Sequence, residues 1–101
     1  MYIYNVTIKI QPADKSEWLS FMLNEHIPEV MGTQKFSDYR VCHLLDQDEN
    51  DGLTYVIQYY FNAIPDYIEY QQKFAPVLQK SHSEKFKDRF VAFRTVMEVV
   101  S

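Results

Sequence analysis

The chain has 101 residues, which suits a single domain spanning 1–101. With 47% apolar and 16% aromatic residues it has ample material for a packed core, and this excludes a disordered chain. A net charge of −4 argues against nucleic acid or an anionic membrane surface as partner; no apolar run spans a bilayer, and a lone Cys42 leaves no internal disulfide.

Tyr2, Tyr4, Val6, Ile8 and Ile10 alternate with Ile3, Asn5, Thr7 and Lys9, the period of two expected of a strand with one strongly apolar face. The polar residues in this run also argue against a secretory signal, so a cytoplasmic protein is expected. Pro12 ends the strand. Asp14 reads as a helix N-cap with Glu17 as its capping-box partner, and the helix is predicted to run to about Met31. Its apolar face comprises Leu19, Met22, Leu23, His26, Ile27 and Val30, flanked by Trp18 and Phe21. Pro28 lacks a backbone donor and should kink or end the first helical stretch near His26; Gly32 is the expected stop.

The β-pattern returns from Phe36 to Leu45, with Tyr39, Val41 and His43 on one side and Arg40, Cys42 and Leu44 on the other. An acidic segment, 46–52, ends in Asp-Gly and reads as a hairpin loop to a third strand, Leu53–Phe61. Asn62 is the expected cap of the next helix, with Pro65 in its first turn and Tyr67, Ile68, Phe74, Val77 and Leu78 as its apolar residues. Pro76 should divide this helix, the second part ending near Lys87. Phe90–Val100 is the last strand, its Phe93 and Met97 assigned to the core side and its Ala92, Arg94, Val96 and Glu98 to the opposite side.

Strand, helix, strand, strand, helix, strand is the ferredoxin-like βαββαβ order: an α+β fold with a four-stranded antiparallel sheet and both helices on one face. The second sheet face is then expected to carry Asn5, Arg40, Gln58, Arg94 and Glu98 among Ile3, Cys42, Val56 and Ala92. That is too apolar for a solvated face, and a homodimer closed sheet against sheet, a dimeric α+β barrel, is the economical arrangement.

His26 is the most informative single residue. Between helix and sheet it would serve as a general base or orient a ligand; the structural alternative is a ring bonded to a backbone carbonyl at the Pro28 kink. Trp18 and Met22, with the tyrosines, either line a pocket for a small molecule or are simply core. Asn5, Arg40, Gln58 and Arg94 form a polar set in which two arginines clamp a carboxylate or phosphate, or which pairs with Glu98 in an interface. No metal site is expected. The 46–57 segment has its glycine one place late for a calcium loop and Ile57 where a glutamate is required. Cys42 and His43 point to opposite faces of a strand, and His26 with Glu29 makes a single pair. Cys42 is expected to be a buried, inert thiol, and His82, among Ser81, Ser83 and Glu84, an exposed residue. Gly32 and Gly52 are too few for a Gly-rich phosphate loop, and no cofactor is expected.

The stretches YNVT (Tyr4–Thr7), EWLSFMLNEHIPEVMGTQKF (Glu17–Phe36), TYVIQY (Thr54–Tyr59) and AFRTVMEVV (Ala92–Val100) resemble a small bacterial family, the domain of unknown function 4286 family. That resemblance covers nearly the whole chain and implies no particular reaction. By fold the chain is also similar to the dimeric α+β barrel superfamily of the antibiotic monooxygenase type. This superfamily includes cofactor-independent monooxygenases, muconolactone isomerase-type enzymes, haem-degrading proteins and members without known catalysis. Three readings follow. The first is a homodimer with a structural or small-ligand-binding role. The second is a cofactor-independent monooxygenase- or isomerase-like enzyme acting on a small apolar or aromatic molecule, with His26 as base and Asn5 or Gln58 orienting the substrate. The third is a protein-interaction module using an exposed strand edge.

Overall fold

A computed structural model describes residues 1–101. Strand β1 (Tyr2–Ile10) leads through a 3₁₀ turn at Pro12–Asp14 into α1 (Lys15–Phe21), a π-helical segment (Met22–His26) and α2 (Ile27–Gly32). Strands β2 (Asp38–His43) and β3 (Leu53–Phe61) follow, then α3 (Ile64–Lys73), α4 (Ala75–Lys85) and β4 (Phe90–Glu98). The sheet order is β2-β3-β1-β4, and every pair is antiparallel. This is the ferredoxin-like fold, with β2 and β4 as edges.

The core lies between the sheet and the helices. Alternate residues of β1 and β3, from Tyr4 to Ile10 and from Leu53 to Phe61, are buried against Trp18, Met22, Ile27 and Val30 of the first helical stretch and Phe86 after α4. Aromatic rings fill one end: Phe36 packs on Tyr59 and Tyr70 at centroid distances of 5.2 and 4.8 Å.

The π segment is a consequence of Pro28. Its ring has no N–H and crowds the carbonyl four residues back, so the preceding turn widens, and Ile27 N–H donates to the carbonyl of Met22, five residues earlier. The extra residue resets the phase of the helix. The buried set becomes Trp18, Phe21, Met22, Ile27 and Val30, whereas Leu23, expected on the buried face, is exposed. The two expected caps do not form. Asp14 already has helical φ and ψ and caps nothing; its carboxylate instead accepts from Arg89 Nη1 at 3.0 Å. The cap position of α3 is Ala63, not Asn62. The helix break near Pro76 falls at Phe74, and Ile68 and Val77 face outward, because α3 and α4 bury the stripe of Tyr70, Ala75 and His82 instead.

The last strand sits one residue out of phase with its expected assignment. β1 pairs with β4 so that Tyr4 lies opposite Val96, Val6 opposite Arg94 and Ile8 opposite Ala92. Directly opposed residues share a face, so Ala92, Arg94, Val96 and Glu98 lie on the helix side, and Val91, Phe93, Thr95 and Met97 on the open side. Phe93 and Met97 are therefore not core; Phe93 is 66% exposed. Cys42 is exposed as well, because it lies on the open face of an edge strand.

Candidate functional site

The helices and the sheet enclose a cavity of about 30 Å³, bordered by Tyr4 and Tyr59 of the sheet, His26 and Met22 of the π segment, His82 of α4 and Arg94 of β4. At roughly 10–15 Å³ for each water in this measure, it has room for about two. His26 reaches it because the π turn swings its ring inward; π turns of this kind recur at functional sites. The ring packs edge-on to His82 at 5.7 Å and tilts on Phe21 at 5.9 Å. The carbonyl bond expected at the Pro28 kink is absent: His26 Nδ1 is buried and has no hydrogen-bond partner.

His82 is the residue that the sequence reading misplaced. It is only 4% exposed, packed against Phe86 and Phe90, and its Nε2 accepts a hydrogen bond from Trp18 Nε1–H at 3.0 Å. An indole N–H only donates, so this nitrogen must be unprotonated, and the proton of the neutral ring sits on Nδ1. The signal was in the spacing: His82 follows Ala75 by seven and Leu78 by four and precedes Phe86 by four, one stripe of a helix. Its serine and glutamate neighbours concealed this stripe.

Both imidazoles are held neutral. Burial, then the nearby Arg94 charge, lowers His26 to about 4. Burial also lowers His82 to about 4, with His26 and Arg94 adding to the effect. The phenols of Tyr59 and Tyr70 are pushed up by burial and stay neutral. Arg94 is thus the cavity's one formal charge, and no acidic side chain borders it.

The remaining predicted site residues divide between the two faces. Trp18 and Met22 are buried on the helix side, Met22 at the cavity and Trp18 behind His82. Asn5, Gln58 and Arg40 lie on the open face, where Gln58 is opposite both of the others. There Tyr60 Oη–H donates to Gln58 Oε1 (3.3 Å), Gln58 Nε2 to Asn5 Oδ1 (3.3 Å) and Asn5 Nδ2 to Thr7 Oγ1 (3.2 Å). Arg94 is on the opposite face, so the expected four-residue cluster does not exist, and neither arginine pairs with Glu98. No group of three or more His, Cys, Asp or Glu side chains is placed to hold a metal ion. No helix is long and apolar enough to cross a membrane.

The family model described as Domain of unknown function (DUF4286) matches residues 1–100. Solved structures of similar fold include a dimeric ferredoxin-like protein from an uncultured marine organism (TM-score 0.70, 13% identity, covering 100% of this chain and 96% of that one). Another is a Bacillus cereus protein provisionally named an antibiotic biosynthesis monooxygenase (TM-score 0.69, 12% identity, 99% and 93% covered). A third is a variant of SnoaB, a cofactor-independent oxygenase from Streptomyces nogalater (TM-score 0.64, 7% identity, 99% and 94% covered). At such identities the likeness is one of fold. No curated protein matches the chain. The chain belongs to the DUF4286 family.

Proposed function

We propose that this DUF4286 protein is a cytoplasmic homodimer, an α+β barrel in which each subunit binds a small molecule between its helices and its sheet. One observation carries the binding: His26 Nδ1 is buried without a partner at the wall of a cavity shared with His82 and Arg94. A buried polar nitrogen without a partner costs about 1–3 kcal/mol, and a ligand that hydrogen-bonds to it recovers that loss. The dimer is supported by the open sheet face. With Phe93, Met97 and Val91 in place of Arg94 and Glu98, that face is more apolar than the alternation alone suggested. The dimeric ferredoxin-like protein of similar fold supports the same reading.

Native mass spectrometry of freshly purified protein, followed by a small-molecule thermal-shift screen, tests both halves. A dimer that carries or takes up a small molecule is the expected result. A dimer that binds nothing in the screen overturns the binding role, and a monomer at ~10 μM overturns the barrel.

A second reading has one observation of its own. His26 is neutral at pH 7, the protonation state a general base requires, which favours a cofactor-independent oxygenase- or isomerase-like activity. A ring held near 4 is a weak base, and a cavity of 30 Å³ does not admit an aromatic substrate without movement of the helices. Binding is therefore the better-supported role.

A further inference from the structure

Taking the cavity as a binding site, as proposed above, we infer that its ligand is a small carboxylate, held by Arg94, whose binding converts His26 to an imidazolium that donates from Nδ1.

The charge balance of the cavity gives the ligand class. Arg94 makes no ion pair within the chain: the acids engaged in such contacts are paired with Lys9, Lys35, His43, Lys73, Lys80 and Arg89. The groups facing His26 from the surrounding elements are Tyr4 of β1, Tyr59 of β3, Tyr70 of α3, His82 of α4 and Arg94 of β4. None is an acid, so the space has one cation and no counter-charge. A guanidinium presents a planar fork of donors that matches a carboxylate. Size agrees with charge. Room for about two waters is room for the two oxygens of a carboxylate head. Arg94 is exposed, so the rest of such a molecule can extend past it toward solvent.

Geometry also decides which imidazole takes the proton. Protonating His82 at Nε2 would turn that nitrogen into a donor facing the Trp18 N–H and break their bond. His26 Nδ1 has no partner to lose. In the imidazolium both ring nitrogens carry protons, so Nδ1 donates and the carboxylate oxygen accepts from it. An anion also cancels the Arg94 field that opposes the imidazolium in the empty cavity, so the two events favour each other. Because binding takes up a proton, affinity is highest in mild acid, falls as pH rises from the free-ring value of about 4 to the higher pKa that His26 has in the complex, and levels off above it.

The test uses the full-length protein, with acetate and its neutral isostere acetamide as probes, followed by NMR of the imidazole and indole resonances. Acetate is expected to shift His26 and the Trp18 N–H, to move the His26 nitrogens to imidazolium positions, and to bind at least ~10-fold more weakly at about pH 8 than at about pH 6. Acetamide is expected to bind ~10-fold or more weakly than acetate. Arg94→Gln, a substitution at an exposed position, should remove this preference. His26→Gln should retain acetate but lose the pH dependence. Equal binding of both probes in the cavity overturns the carboxylate assignment and leaves the binding site standing. Acetate binding with His26 still neutral overturns the proton step. If neither probe perturbs these resonances at ~100 mM, the assignment and the binding site fall together.

Discussion

The two faces of the sheet both carry large apolar side chains, and these meet opposite fates. On the helix side, Tyr4, Ile8, Ile57 and Tyr59 are nearly inaccessible, and the polar groups present sit in isolated places: His82 bonded to Trp18, His26 and Arg94 at the cavity. On the open side, Phe93 and Met97 meet solvent in a single subunit, and the polar residues form a chain from Tyr60 through Gln58 and Asn5 to Thr7 that satisfies itself along the surface. The difference shows how one strand pattern can produce both a packed core and an apolar face open to solvent. A face whose central amides are already paired can be covered by another protein surface without stranding them, and Arg40 is the charge such a surface has to satisfy.

The largest expected effect breaks the covered face. Trp18→Ala deletes a fully buried ring and the donor to His82, and should cost about 3–5 kcal/mol in chemical denaturation. An unchanged midpoint would mean that the helix layer is not what holds this face. Next comes the open face. Val56→Lys places a charge in the centre of the proposed interface and should weaken self-association about 100-fold or more by analytical ultracentrifugation, with the subunit still folded. A variant that remains fully dimeric would move the interface elsewhere.

Acid gives a third contrast. His26 and His82 titrate near 4 when folded and near 6.5 when unfolded, so the unfolded chain binds more protons between these values. Their contribution to stability is present above pH 6.5 and is lost as pH falls toward 4, by about 1.4 kcal/mol per pH unit for each ring. Urea midpoints measured across this range check the slope, and His82→Gln should roughly halve it. The open face contributes no titrating imidazole of this kind. The smallest effect lies outside both faces. Val77, 71% exposed on the outer side of α4, should tolerate Lys within about 0.5 kcal/mol and leave both association and probe binding unchanged.

His26 and His82 also show how far a sequence can be read. His26 was legible because it lies on a run of large apolar residues next to a proline, and both features point inward. The π turn that presents its ring to the cavity was legible only as a kink, since the number of residues a widened turn absorbs depends on what the helix packs against. His82 was read as exposed because its neighbours are serines and a glutamate. Its position was determined by helix phase, visible only in its spacing from Ala75, Leu78 and Phe86. The expected caps at Asp14 and Asn62 failed for a related reason: Arg89, 75 residues away in the chain, takes the Asp14 carboxylate, and local propensity contains no information about it.

By itself the sequence determined the order of strands and helices, the inward face of β1 and β3, and that the helices are interrupted just before their internal prolines. These follow from periodicities of two and 3.6 and from prolines, all of which act within a few residues. Only the tertiary structure decided the face of β4. By alternation the more apolar side, Val91, Phe93 and Met97, belongs to the core, yet Ala92, Arg94 and Val96 take the helix side. Pairing with β1 settles it, and a shift of one residue in that register would exchange Arg94 for Phe93 at the cavity. The candidate site exists because hydrogen bonds between strands more than eighty residues apart in the chain selected that phase.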